Sequence, residues 1–126
     1  MGLKEDKMAF ESKEEQILYP TGLTPDNIFY RDFLIDRLSS YVPLHQSSVL
    51  EVGIGNGRFG ALLGSSVRRY CGVDINESYV ELARQNSPAD ADIEYKTGVA
   101  EKIPFSERFD VVLYAFSWHF LESFEK

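Results

Sequence analysis

An acid, three alternating glycines and a second acid mark the middle of this chain: Glu51, then Gly53, Gly55 and Gly57, then Asp74. Glycine at every second position makes a loop almost free of side chains. A ligand can then come close to the backbone, and a helix starting behind the loop offers unpaired N–H groups. Asp74 lies 17 residues beyond Gly57. A carboxylate there can accept two hydrogen bonds from the vicinal hydroxyls of a ribose. Glu51 sits inside the apolar run Val49-Leu50-Glu51-Val52, where a carboxylate is costly unless paired or hydrogen-bonded. It either caps N–H groups of the loop, or orients the loop and faces a cationic part of a ligand. Gly55-Asn56-Gly57-Arg58-Phe59-Gly60 also satisfies G-x-G-x-x-G, the dinucleotide fingerprint. The loop alone therefore supports NAD as well as another nucleoside cofactor. His119 is a weak candidate for a catalytic base and equally a packing residue in an aromatic segment. Two histidines and one cysteine, scattered along the chain, leave no metal-ligand spacing. No G-x-S-x-G elbow or P-loop lysine occurs.

These residues need a strand before the loop, a helix after it and a second strand ending on Asp74. The pattern predicts all three: a strand over 49–52, a short helix from Arg58 to about Leu63, and a strand over 70–74. Upstream, Thr24 as N-cap and Pro25 at the first helical position start a helix running to about Tyr41 and ended by Pro43. Ile28, Phe29, Phe33, Leu34, Ile35, Leu38 and Tyr41 give it a broad apolar face. Downstream, Asn76 caps a helix whose buried side is Tyr79, Val80, Leu82 and Ala83, with Ser87-Pro88 as its stop. Residues 93–97 alternate like a half-exposed strand. Residues 109–114 are apolar almost throughout, like a parallel strand covered on both faces. Strands alternating with helices predict an α/β fold with a parallel sheet and right-handed crossovers. In such sheets ligands bind at the carboxyl ends of the strands.

A chain of 126 residues makes one domain. Residues 1–21 read as a charged N-terminal segment or lid, and 22–126 as the domain proper. No apolar run reaches the roughly 20 residues of a membrane span, so no membrane partner is expected. A net charge of −7 argues against a broad nucleic-acid footprint. The single cysteine, Cys71, cannot form an internal disulfide and fits a reducing, cytoplasmic setting.

Several segments together resemble the Rossmann-like (class I) S-adenosylmethionine-dependent methyltransferases. Val49-Leu50-Glu51-Val52-Gly53-Ile54-Gly55-Asn56-Gly57 looks like their first motif, and Gly72-Val73-Asp74-Ile75-Asn76 like the next. Gly98-Val99-Ala100-Glu101-Lys102-Ile103-Pro104-Phe105 is similar to the family's G-D-A-E-x-L-P-F stretch, and Phe109-Asp110-Val111-Val112-Leu113 to its fourth strand. The segment 116–121 looks like the one beyond that strand. The ordered set covers roughly residues 28–121 and favours S-adenosylmethionine over NAD. The resemblance implies a Rossmann-like parallel sheet flanked by helices, with order 3-2-1-4 present and later strands missing. It implies a methyl transfer by in-line displacement to an unidentified acceptor. Gly53, Gly55 and Gly57 would pass the methionine part of the cofactor, with Glu51 near its amino group. Asp74 would take the ribose hydroxyls and Ile75 would pack on the adenine. Ala100 and Glu101 would line the adenine edge, and Tyr114 would border the methionine and the substrate.

Two departures stand out. Val99 replaces an Asp that accepts from the adenine amino group. The family order also continues past the fourth strand, so an apolar edge is expected at 111–113, where a longer chain, a partner or a second copy would pair. Two other readings follow: a non-catalytic methyltransferase-like binding module, and an NAD-binding oxidoreductase half-domain.

Overall fold

The computed structural model describes residues 25–114. Thr24, the segment 1–21 and His119 lie outside them. The described chain runs α1 (Pro25–Ser39), β1 (Ser48–Val52), α2 (Arg58–Leu63), β2 (Arg69–Asp74), α3 (Glu77–Gln85), β3 (Ile93–Thr97) and β4 (Val111–Leu113). Single turns of 3-10 helix at Leu44–Gln46 and Gly64–Ser66 lead into β1 and β2.

The four strands form one parallel sheet in the order β3-β2-β1-β4, as the family resemblance implies. Glu51 is level with Gly72 on β2 and with Leu113 on β4. The chain adds strands in one direction from β1 to β3, then returns to place β4 on the other side of β1. A right-handed crossover must then change face. Accordingly α1, α2 and α3 all pack on one face, and the β3–β4 connection crosses the other.

On the helical face Val49, Tyr70 and Tyr95 meet Phe59, Leu63, Val80 and Ala83 in one buried cluster. On the other face Leu50, Val52, Cys71 and Val73 are covered by Ala100, Ile103, Phe105 and Phe109. Phe105 and Phe109 meet edge to face. Gly60 lets α2 lie close to the sheet, because a Cβ there would overlap the Tyr95 hydroxyl and sit 3.3 Å from the Tyr70 ring.

Two expectations need correction. The first helix does not bury all its apolar residues: Tyr30, Leu34, Ile35 and Leu38 pack on the core, whereas Phe29 and Tyr41 are each 76% exposed, with Ile28 and Phe33 also open. Positions 30, 34 and 38 fall on one stripe at helical spacing, and 29 and 33 fall on the next. The only fully buried polar residue of this helix is Asn27 among the described residues. Second, β4 is shorter than expected and covered on one face only. Val112 is 46% exposed. Phe109 has turned onto the sheet, and Asp110 is drawn off to cap β1, accepting from the Ser48 N–H at 2.8 Å while its own N–H donates to the Ser48 carbonyl at 2.9 Å. The sheet is flanked by helices, as the resemblance implies; among the described residues they lie on one face, and an irregular segment covers the other. The expected open edge is present: β4 pairs with β1, and with no other strand among the described residues.

At the amino ends of the strands Arg69 gathers three acids. It donates to Glu107 at 2.9 Å, Glu94 at 2.7 Å and Asp92 at 3.2 Å. This holds the 105–108 turn down against β2 and β3 and keeps it away from the carboxyl ends, where the glycine loop lies.

Candidate functional site

The carboxyl end of β1 runs straight into the glycine loop. Gly53, Gly55 and Gly57 all take positive φ, at 82°, 55° and 84°, a region costly to residues with a Cβ. Two of them serve different ends. A Cβ on Gly57 would lie 2.8 Å from both Cα and Cβ of Ala83, so this glycine lets the loop rest on α3. A Cβ on Gly55 would meet nothing within 4 Å, so this glycine faces open space. The loop is fastened from behind. The Asn86 side chain, at the end of α3, donates to the Asn56 carbonyl at 2.9 Å, and the Asn56 side chain accepts from the Arg58 N–H at 3.1 Å at the start of α2.

Asp74 reaches across from the end of β2 to hold the front of the loop. One of its oxygens accepts from the Gly55 N–H at 3.2 Å, the other from the Asn76 N–H at 2.9 Å. Burial pushes this carboxyl up from its ordinary range, and the backbone N–H groups of Asn76 and Gly55 pull it back down. Each carboxylate oxygen keeps acceptor capacity beyond one hydrogen bond. Beside it Ile75 presents a bare apolar side chain, 72% exposed. Asn76 caps α3 as expected, accepting from the N–H groups of Ser78 and Tyr79.

Glu51 does not hold the loop; that is the work of Asp74. Its side chain is fully buried on the helical face, and Oε1 accepts the Tyr70 hydroxyl at 2.6 Å. Oε2 has no hydrogen-bond partner among the described residues. Burial pushes the Glu51 carboxyl up to about 8, the Tyr70 hydrogen bond pulls it down, and the nearby Asp74 charge adds to the rise. Burial, then the Glu51 charge, also raise the Tyr70 phenol. A neutral acid is the lower-energy form of such a group while no cation is near.

The connection after β3 comes to the same end of the sheet, since the Gly98 N–H donates to the Asp74 carbonyl at 3.0 Å. Val99 and Lys102 close a tight turn there. Ala100 packs on the apolar sheet face, and Glu101 stands in solvent. Tyr114, just past β4, is 48% exposed. Glu51, the three glycines, Asp74, Ile75 and the 98–101 turn are thus gathered at the carboxyl ends of β1, β2 and β3, with Tyr114 at the end of β4.

Three contributors lie beyond the sequence reading. Asn27 and Arg58 join α1 to the start of α2: the guanidinium donates to the Asn27 side-chain oxygen at 3.0 and 3.2 Å and lies 4.8 Å over the Tyr30 ring. Tyr70, the partner of Glu51, is only a strand residue in the sequence pattern. It is level with Val49, two positions before Glu51, so its side chain lies on the same face of the sheet as that of Glu51.

A family model described as a methyltransferase domain matches residues 50–126. The chain belongs to the methyltransferase-domain family. Among curated members it is similar to an uncharacterized methyltransferase from Staphylococcus carnosus (strain TM300), 27% identical over 111 residues, spanning 86% of this chain and 52% of that one. Its fold is that of a TehB-like SAM-dependent methyltransferase from Corynebacterium glutamicum, with TM-score 0.65 at 21% identity, covering 88% of this chain and 55% of that one. It is also that of an amino pentose methyltransferase from Micromonospora echinaspora, solved with SAM bound, with TM-score 0.67 at 19% identity, covering 91% of this chain and 45% of that one. This methyltransferase-domain chain therefore spans about half the length of the relatives it matches. Among its described residues no helix is long and apolar enough to cross a membrane, and no cluster of side chains could hold a metal ion.

Proposed function

We propose that the chain binds S-adenosylmethionine and forms the cofactor half of a methyltransferase acting on an acceptor of unassigned chemistry. One observation carries the reading: a loop with three left-handed glycines, open at Gly55, is held by the acid that ends the next strand. The residues fit such a cofactor. Gly55 leaves room for a close backbone approach. Asp74 has spare acceptor capacity for a ribose diol, with Ile75 beside it as an apolar platform for a base. Glu51 keeps an oxygen without a partner for a substituted ammonium. Ala100 and Glu101 border the adenine edge, where Val99 cannot accept a hydrogen bond through its side chain. Tyr114 borders the methionine end and the entering substrate. When bound, the cofactor supplies an already activated sulfonium methyl, so the protein's part is to position an in-line attack. His119 stays a candidate base within the same proposal.

The division between a charged segment at 1–21 and a domain at 22–126 belongs to this proposal. So does a cytoplasmic setting, supported by a single buried cysteine whose thiol burial pushes up to about 12. The open β4 edge favours a second copy or a partner chain beside Val111–Leu113. Sedimentation of the chain at several concentrations tests that point, and a concentration-independent monomer would remove it.

Calorimetric titration with S-adenosylhomocysteine and with NAD tests the main reading. Binding of the former and none of the latter is expected. NAD binding without S-adenosylhomocysteine binding would make the chain an oxidoreductase half-domain. Cofactor binding without methyl transfer to any acceptor would leave a non-catalytic binding module.

A further inference from the structure

Glu51 and Tyr70 form a buried pair that the loop does not need. Asp74, Asn86 and Asn56 already hold the glycines, and neither Glu51 oxygen bonds to the loop backbone among the described residues. An acid deep in an apolar cluster with one oxygen satisfied and the other bare is costly in structural terms alone. Its burial and the Asp74 charge keep it neutral until a cation arrives, against the pull of the Tyr70 hydrogen bond. Tyr70 donates from β2, Tyr95 lies beyond it on β3 with its hydroxyl buried, and Asp74 adds a negative charge from the end of β2. Leu113 on β4 is level with Glu51 and brings no charge. Arg58, the nearest cation in sequence, is turned to Asn27 and Tyr30.

We propose, resting on the cofactor reading above, that Tyr70 is a positioning residue: its hydroxyl holds the buried Glu51 carboxyl by Oε1 and leaves Oε2 for the cofactor's ammonium, which on reaching it displaces the acid's proton. The step balances. A neutral carboxyl and a bound cation become a carboxylate–ammonium pair, and one proton leaves to solvent. Cofactor binding is therefore coupled to proton release. Affinity rises with pH while the empty protein holds the Glu51 proton, and levels off once it is lost.

The 126-residue chain titrated with S-adenosylhomocysteine between about pH 6 and about pH 7.5, in two buffers of different ionisation enthalpy, counts the protons. Close to one proton released per ligand is expected, with Kd tightening about tenfold per pH unit. In Glu51→Gln, binding should persist more weakly with no proton release and a flat pH profile. In Tyr70→Phe the release should persist, affinity near neutrality should fall about two- to tenfold, and the plateau should move to higher pH. A wild-type chain that binds with no proton release and no pH dependence would overturn the proposal and leave the cofactor reading standing. So would a slope retained in Glu51→Gln, which would assign the proton to Asp74. A Tyr70→Phe profile superimposed on wild type would remove Tyr70 from the coupling. Failure to bind at any pH would overturn both readings. The wild-type proton count needs no variant, so a misfolded substitution cannot spare the proposal.

Discussion

Replacing Glu51 by Gln measures what a buried acid does to the ligand-free fold. Glutamine keeps the acceptor for the Tyr70 hydroxyl and nearly the same volume, and it cannot ionise. The folded-state value of Glu51, about 8, lies above its ordinary 4.5. The folded chain thus holds a proton that the unfolded chain loses at lower pH. Stability tied to that proton is fully present below about pH 4.5 and is lost as pH rises to about 8. Each pH unit within that window is worth about 1.4 kcal/mol. Between about pH 5 and about pH 7 the wild type should lose about 2.5 kcal/mol relative to Glu51→Gln. Urea unfolding of both chains at the two pH values, without ligand, reads this difference directly. A gap between the chains that stays constant would mean Glu51 ionises in the fold as it does in water. The account of a neutral core acid would then fail, whatever the cofactor does.

Gly55→Ala should cost about 1 kcal/mol of stability, since only the backbone objects, yet weaken S-adenosylhomocysteine binding at least about tenfold by filling the open side of the loop. Gly57→Ala should cost more, about 2–4 kcal/mol in urea unfolding, because strain and a clash with Ala83 act together. Gly60→Ala should destabilise by about 1–3 kcal/mol through overlap with the Tyr95 hydroxyl. Adding Tyr95→Phe should restore much of that loss, and a strictly additive double variant would deny the contact. Asp74→Ala should weaken S-adenosylhomocysteine binding by about 1–3 kcal/mol in calorimetry, the scale of hydrogen bonds to a charged group; unchanged affinity would remove Asp74 from the site.

Local signals carried the sequence reading a long way. The helix Arg58–Leu63 and the strand Ile93–Thr97 match the prediction, because glycines bracket the one and strict alternation marks the other. Asn76 caps its helix for the same reason. The order β3-β2-β1-β4 came with the motif order, which no single segment contains. What escaped was pairing across long distances in sequence. Nothing local to Glu51 says that the hydroxyl of a tyrosine 19 residues on would donate to its carboxyl. Nothing local to Asn27 names Arg58, 31 residues away. The helix Pro25–Ser39 misled because its apolar residues wrap around more than one stripe, so composition alone could not say which stripe meets the core. At Val111–Leu113 the apolar run promised two covered faces, but cover depends on what lies beside a strand, which its own residues do not encode.

The resting of Gly57 on Ala83 makes the binding loop and the helix Glu77–Gln85 share one free energy. A ligand that pins the loop must, by reciprocity, slow the opening of that helix. Amide hydrogens around Ala83 would then report occupancy of the site by exchanging more slowly. Equally, a substitution that frays the end of this helix would be felt as lost affinity at a loop some 26 positions earlier in the chain.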